Sequence, residues 1–182
     1  MSDIWTTQLT DQGHNEPKNK SFTQRILNRL KYISAQSIIT QLQNIHNRKL
    51  NFLNSIKDSY GRETYLKIQK LSNRRAITKL RTSNHNLAIE SGRWTKTEKE
   101  NRLCTHCTKS EIEDEIHFLF DCSKYLDIRT TTFAYIQNNT GINLSNDFNR
   151  INNLKTLFKS DNQNSLNAFG KFIKNAFKLR EP

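Results

Sequence analysis

An all-α fold, built from several amphipathic helices with one small irregular insert, is what the sequence predicts, and three observations predict it. Apolar residues recur at helical spacing over most of the chain. No stretch alternates apolar and polar residues for long enough to make a strand. The segment 93–115 has no period at all, and it holds two cysteines three positions apart.

Taken in order, residues 1–20 carry scattered apolar side chains without a period and read as a flexible N-terminal arm. From Ser21, which stands where a cap is needed, Phe22, Ile26, Leu30 and Ile33 mark a first helix. Ile38, Leu42, Ile45, Phe52, Leu53 and Ile56 mark a second. Gly61 breaks the run. Two shorter helical stretches follow, one with Tyr65, Ile68 and Leu71 and one with Ile77, Leu80 and Leu87, both closed before Gly92. Residues 116–136 are helical in pieces, with residues 93–95 and 102–104 as candidates for a short ribbon before them. Phe148, Ile151, Leu154 and Phe158, then Leu166, Phe169, Ile173 and Phe177, set two last amphipathic helices about a polar link at 160–165. The expected organisation is an arm (1–20), a basic helical region (21–92), a zinc-knuckle region (93–129) and a C-terminal helical region (130–182).

A chain of 182 residues, 34% of them apolar, can form a sizeable core only if nearly every Leu, Ile and Phe joins it. No long apolar run occurs, so neither a signal peptide nor a membrane span is expected. Three cysteines are an odd number and fit a reducing, intracellular compartment, nuclear or cytoplasmic, better than a secreted disulfide framework. The net charge is +12, and it is unevenly spread. Residues 18–81 hold 15 Lys or Arg against Asp58 and Glu63, whereas residues 110–128 hold six acids against Lys124. A basic first half and an acidic knuckle point to a nucleic-acid partner, with no membrane and no small-molecule substrate.

Cys104, Cys107, His117 and Cys122 read C-x2-C-x9-H-x4-C. Two thiolates on a tight turn grip one side of an ion, and a His and a Cys from a following helix complete a tetrahedron that suits Zn²⁺. With all four positions supplied by the protein, the expected site is closed and structural, with one zinc. The other reading, cysteines as small buried side chains and an isolated histidine, stays open. His106 lies within the turn and is left out of the ligand set. The acids Glu111, Glu113, Asp114, Glu115 and Asp121 read as helix-dipole partners, one of them paired with Arg102 or Arg129, rather than as a catalytic cluster. Phosphate-binding loops, nucleophile elbows and polymerase-type paired aspartates are all missing, so no catalytic residue is expected.

The strings LRTSNHNLAIESGR (80–93), ENRLCTHC (100–107) and IEDEIHFLFDC (112–122), with Tyr125 and Arg129 beyond, resemble the C-terminal segment of LINE-type (non-LTR) retrotransposon reverse transcriptases. The likeness covers roughly residues 50–130 and includes YGRETYL (60–66). It implies a zinc-knuckle region that follows a polymerase core and holds element RNA or target DNA, with Cys104, Cys107, His117 and Cys122 as ligands. The palm and its carboxylates are absent from this sequence, so the likeness implies no polymerase activity.

Two functional expectations follow. The first is a non-catalytic, zinc-stabilised module that binds RNA or DNA without strong sequence specificity. Its contacts are expected from Lys67, Lys70, Arg74, Arg75, Lys79 and Arg81 on a helical flank, extended by His85 and Arg93. Trp94 reads as a core anchor or as a surface on which an unpaired base stacks. The second is a protein-interaction or structural remnant whose helices dock on the polymerase core of the same element, or on another copy, the basic face being incidental.

Overall fold

The structure, a computed structural model, describes residues 16–43, 48–58 and 61–180. Most of the expected N-terminal arm, residues 1–15, and Ile45 of the second stripe lie outside the described residues. Among the described residues seven α-helices carry the fold: α1 (Glu16–Gln43), α2 (Asn51–Ile56), α3 (Leu71–Arg81), α4 (Ala88–Trp94), α5 (Leu126–Thr140), α6 (Arg150–Lys159) and α7 (Gln163–Arg180). Among the described residues, strand pairing is limited to one isolated antiparallel bridge between Leu103 and Ile112. The all-α reading holds.

The centre is α7. Leu166, Phe169, Ile173 and Ala176 repeat every three or four residues and are all buried, as is Gly170. Its N-terminus is capped by Asn162, whose Oδ1 accepts the Ser165 amide at 3.0 Å. Helix α3 crosses it closely because Gly170 offers no side chain: a Cβ there would stand 2.7 Å from the Asn73 carbonyl oxygen. At the crossing Asn73 is buried and satisfied, its Nδ2 donating to Asn167 Oδ1 at 2.9 Å. Helix α5 covers another side of α7 through Phe133, which meets Phe172 edge to face at 5.8 Å between centroids. It ends on Gly141 in the left-handed region, φ 72°, a backbone shape that favours glycine.

Several boundaries differ from the expectation. Helix α1 begins at Glu16, so Ser21 lies inside it, and it runs on through residues 34–37 where two helices were expected. Neither Gly nor Pro stands there to break it. At about 100° per residue its apolar stripe changes sides. Phe22, Ile26, Leu30 and Ile33 gather on one side and are exposed, Phe22 by 64%. Ala35, Ile38 and Ile39 gather on the other side and are half-buried, in a helix that contacts α2. Gly92 does not close a helix either. It sits within α4 and leaves room for Arg102, whose side chain a Cβ would strike at 2.6 Å. The expected ribbon also has a different partner. Residues 93 and 94 belong to α4, and residues 102–104 pair instead with 111–113, through Cys104 N–H to Glu111 O at 2.8 Å and Glu113 N–H to Arg102 O at 2.9 Å.

Candidate metal centre and basic surface

The small ribbon places Cys104 and Cys107 on its turn, and a single π-helical turn, His117–Asp121, brings the other two candidate ligands to them. In an α-helix His117 and Cys122, five residues apart, would project about 140° apart. The wider turn, closed by Cys122 N–H donating to His117 O at 2.8 Å, sets both toward the cysteine turn. Asp114 starts the turn by accepting the His117 amide on Oδ1 at 2.8 Å. Arg129 closes it: buried beneath the turn, its guanidinium donates to Leu119 O at 2.8 Å and Cys122 O at 2.6 Å. Burial lowers the Arg129 guanidinium below its ordinary value. The carbonyls at the end of the turn are thereby satisfied without water.

The result is a four-residue cluster able to hold a metal ion. Ligand atoms of Cys104, Cys107, His117 and Cys122 all lie within 4.8 Å of one another. Cys104 Sγ is 3.9 Å from Cys122 Sγ, and Cys107 Sγ is 3.4 Å from His117 Nε2. The three sulfurs are free of disulfides. On its far side His117 Nδ1 meets Glu111 Oε2 at 2.9 Å, which holds the ring with Nε2 facing the sulfurs. Burial pushes the Cys104 thiol up to about 12 and raises Cys122 as well. A bound cation would take the charge and favour the thiolates over the thiols. His106 stands outside the cluster, and burial, followed by the nearby Arg180, lowers its imidazole.

The acids around the cluster are engaged internally, and with partners other than Arg102 or Arg129. Glu113 accepts the Ala88 amide at 2.7 Å, capping α4, and pairs with Arg180 at the end of α7. Glu115 accepts from the Ser83 hydroxyl at 2.7 Å and lies 3.1 Å from His85 Nε2. Asp121 pairs with Arg150 at 2.7 Å. Arg102 is spent on backbone oxygens, those of Thr97 and Ile89. An orienting carboxylate at Glu111 escaped the sequence reading. The signal was present, an acid six residues before the histidine, but the spacing alone does not distinguish it from its neighbours.

The structure divides the expected nucleic-acid contacts. Lys67, Lys70, Arg75 and Lys79 are exposed, Lys67 with a 3.4 Å approach to Asp161. Arg75 and Lys79 are one turn apart on α3. Trp94, at 85% exposure, is a surface residue and anchors no core. Four others turn inward. Arg81 is 2% exposed, joined by both terminal nitrogens to Glu63 at 3.1 Å and set over the rings of Phe158 and Tyr65. Arg74 donates to Leu66 O at 3.0 Å and Ile68 O at 3.3 Å, tying α3 to the 3₁₀ turn Thr64–Lys67. His85 is held by Glu115 and stacks on Phe177, and Arg93 pairs with Glu90 at 3.2 Å. No helix among the described residues is long and apolar enough to cross a membrane. Compared with known proteins, the chain matches no family model, no curated protein and no solved structure.

Proposed function

We propose that the chain is a non-catalytic, zinc-stabilised module that binds RNA or DNA, corresponding to the C-terminal part of a LINE-type reverse transcriptase. The observation that carries the zinc is the donor set and its spacing. Zn–S bonds of about 2.3 Å at tetrahedral angles put two sulfurs about 3.8 Å apart, and Cys104 and Cys122 stand 3.9 Å apart. Three sulfurs and one imidazole select a soft or borderline ion over Mg²⁺ or Ca²⁺. With four protein ligands the ion has no open position for substrate, so its part is structural.

Support for the nucleic-acid reading comes from the four exposed cations on and before α3 and from exposed Trp94, next in sequence to Arg93. Lysines and arginines that neutralise phosphates release condensed counterions, and an exposed indole stacks on any unpaired base. The test is binding of a single-stranded RNA followed by anisotropy over a salt series. The slope of log affinity against log salt should fall by about 2 in Lys70→Gln/Arg75→Gln/Lys79→Gln, at about 0.7 per lost contact. No measurable binding near physiological salt, or a slope that the triple variant leaves alone, overturns the reading.

A second reading is favoured by one observation, the exposed stripe of Phe22, Ile26, Leu30 and Ile33 on the side of α1 opposite its half-buried face. On this reading the half-helix docks on another protein, such as the polymerase core of the same element. Phe22→Ser/Leu30→Ser would then abolish that association while leaving RNA binding intact.

A further inference from the structure

Far along the chain from the metal cluster, the end of α2, residues 61–64 and one face of α6 enclose an open cleft of about 180 Å³. Lys57, Arg62, Lys155 and Lys159 line it, against only two carboxylates, Asp58 and Glu63. Lys155 and Lys159 are one turn apart on α6, an arrangement that is unfavourable for like charges unless something answers them. Asp58 stands between them, 2.8 Å from each ammonium, and Glu63 is divided in the same way between Lys57 and Arg81. Each carboxylate is thus shared by two cations and neutralises neither fully, and Arg62 adds a further charge at the rim.

The surplus is also held in place. Lys57 and Lys155 have only 16% and 26% of their side chains exposed, so little of their freedom is left to lose on binding. Phe158 and Ile56 give the cleft apolar walls, next to which the field of the cations is screened less than in open water. Hydrogen bonds from Lys155 and Lys159 hold the Asp58 carboxyl down at about 2, so it stays ionised and keeps both lysines in position at every physiological pH. A planar carboxylate ligand is satisfied by a single guanidinium fork. Cations arriving from α2, the 61–64 turn and α6 instead surround a compact tetrahedral anion of nearly two charges.

We propose that this cleft is a binding site for a phosphate group, held by Lys155 and Lys159 on one side and by Lys57 and Arg62 on the other. The cleft is open on one side and leaves space for whatever carries the phosphate. The chemistry is the same for a small phosphorylated compound and for the phosphate of a nucleic-acid strand. The site stands independently of the nucleic-acid reading above.

The test uses the full metal-loaded chain and inorganic phosphate, titrated at constant ionic strength with chloride as the control salt and followed by ¹H–¹⁵N spectra. Saturable shifts are expected at the amides of Gly61, Arg62 and Thr64, absent with chloride and at least tenfold weaker in Lys155→Gln/Lys159→Gln. Should that variant lose its fold, Arg62→Gln at the exposed rim supplies the same reading with a severalfold weakening. Shifts that fail to saturate, that spread over every basic surface, or that survive both variants overturn the site. A second arm identifies the source. If the phosphate belongs to a strand, the lysine double variant lowers the salt slope of RNA binding by about 1.4, two contacts at about 0.7 each. If RNA binding is unchanged while phosphate saturates the cleft, the ligand is a small phosphorylated compound.

Discussion

Arg81 belongs to a motif expected to meet phosphates, yet it is buried, and replacing it should reveal which description is right. In Arg81→Gln the helix propensity of α3 is kept and only the guanidinium is lost. The structure sets the cost. Two hydrogen bonds to Glu63 at 3.1 Å disappear, along with stacking over Phe158 at 4.4 Å and Tyr65 at 5.1 Å from the ring centroids. Breaking a buried pair costs about 3–5 kcal/mol when a charge is stranded. Glu63 is not stranded, because Lys57 still holds it. The expected loss is therefore at the low end, about 3 kcal/mol, or a fall in Tm of roughly 6–12 °C for a chain of this size. Arg81→Lys keeps the charge without the planar fork and should cost about 2 kcal/mol. Arg75→Gln, at an exposed position on the same helix, should stay within about 0.5 kcal/mol. Urea and thermal unfolding measure the stabilities, and RNA titrations on the same proteins measure the salt slope. If Arg81→Gln costs under about 1 kcal/mol, or reduces the salt slope as much as Arg75→Gln does, the guanidinium is not where the packing puts it.

Three further outcomes follow from the same contacts. Freshly purified, reduced protein should carry one zinc per chain by elemental analysis; Cys122→Ser and His117→Ala should lose it while His106→Ala keeps it, and the opposite result for the two histidines would reassign the ligand. Gly170→Ala gains helix propensity of about 1 kcal/mol but forces a Cβ to 2.7 Å from a backbone oxygen, so net destabilisation of about 1–3 kcal/mol is expected, and a stabilised variant would show that the α3–α7 crossing is looser than described. Burial works to raise the Glu115 carboxyl, but hydrogen bonds from His85 and Ser83 outweigh it and hold the group below its ordinary value. The stabilisation is therefore present above the unfolded value, about 4.3, and lost as pH falls through the folded one. Ser83→Ala should cost about 1–2 kcal/mol at pH 7 and progressively less as the pH is lowered below about 4.3 in urea unfolding; a cost that does not change with pH would dismiss the linkage.

The sequence made legible what rests on local periodicity and on a fixed ligand spacing. The stripe of Leu166, Phe169, Ile173 and Phe177 predicts α7, and C-x2-C-x9-H-x4-C predicts the cluster. Contacts between segments distant in sequence were not legible. A basic residue on a helix looks the same in sequence whether it faces solvent, as Arg75 does, or a carboxylate 18 positions earlier and a ring on α6, as Arg81 does. Lys155 and Lys159 lie about 100 positions beyond Asp58, so nothing local joined them. The π turn was hidden because one inserted residue leaves a pattern that reads simply as a helix in pieces.

Glu113 joins three things that have no other reason to share a fate. One carboxylate caps α4, approaches Cys104 Sγ at 3.8 Å and clasps Arg180 on the last turn of α7. Whatever free energy a bound metal would lend to the seating of α7, the seated α7 would return to the affinity for the metal, because coupling between two equilibria is reciprocal. A core variant on α7, nowhere near a sulfur, would thus register as weaker metal retention. Chelation, conversely, would be felt at the far end of the longest buried helix, making the ion a reporter of how completely the whole chain is folded.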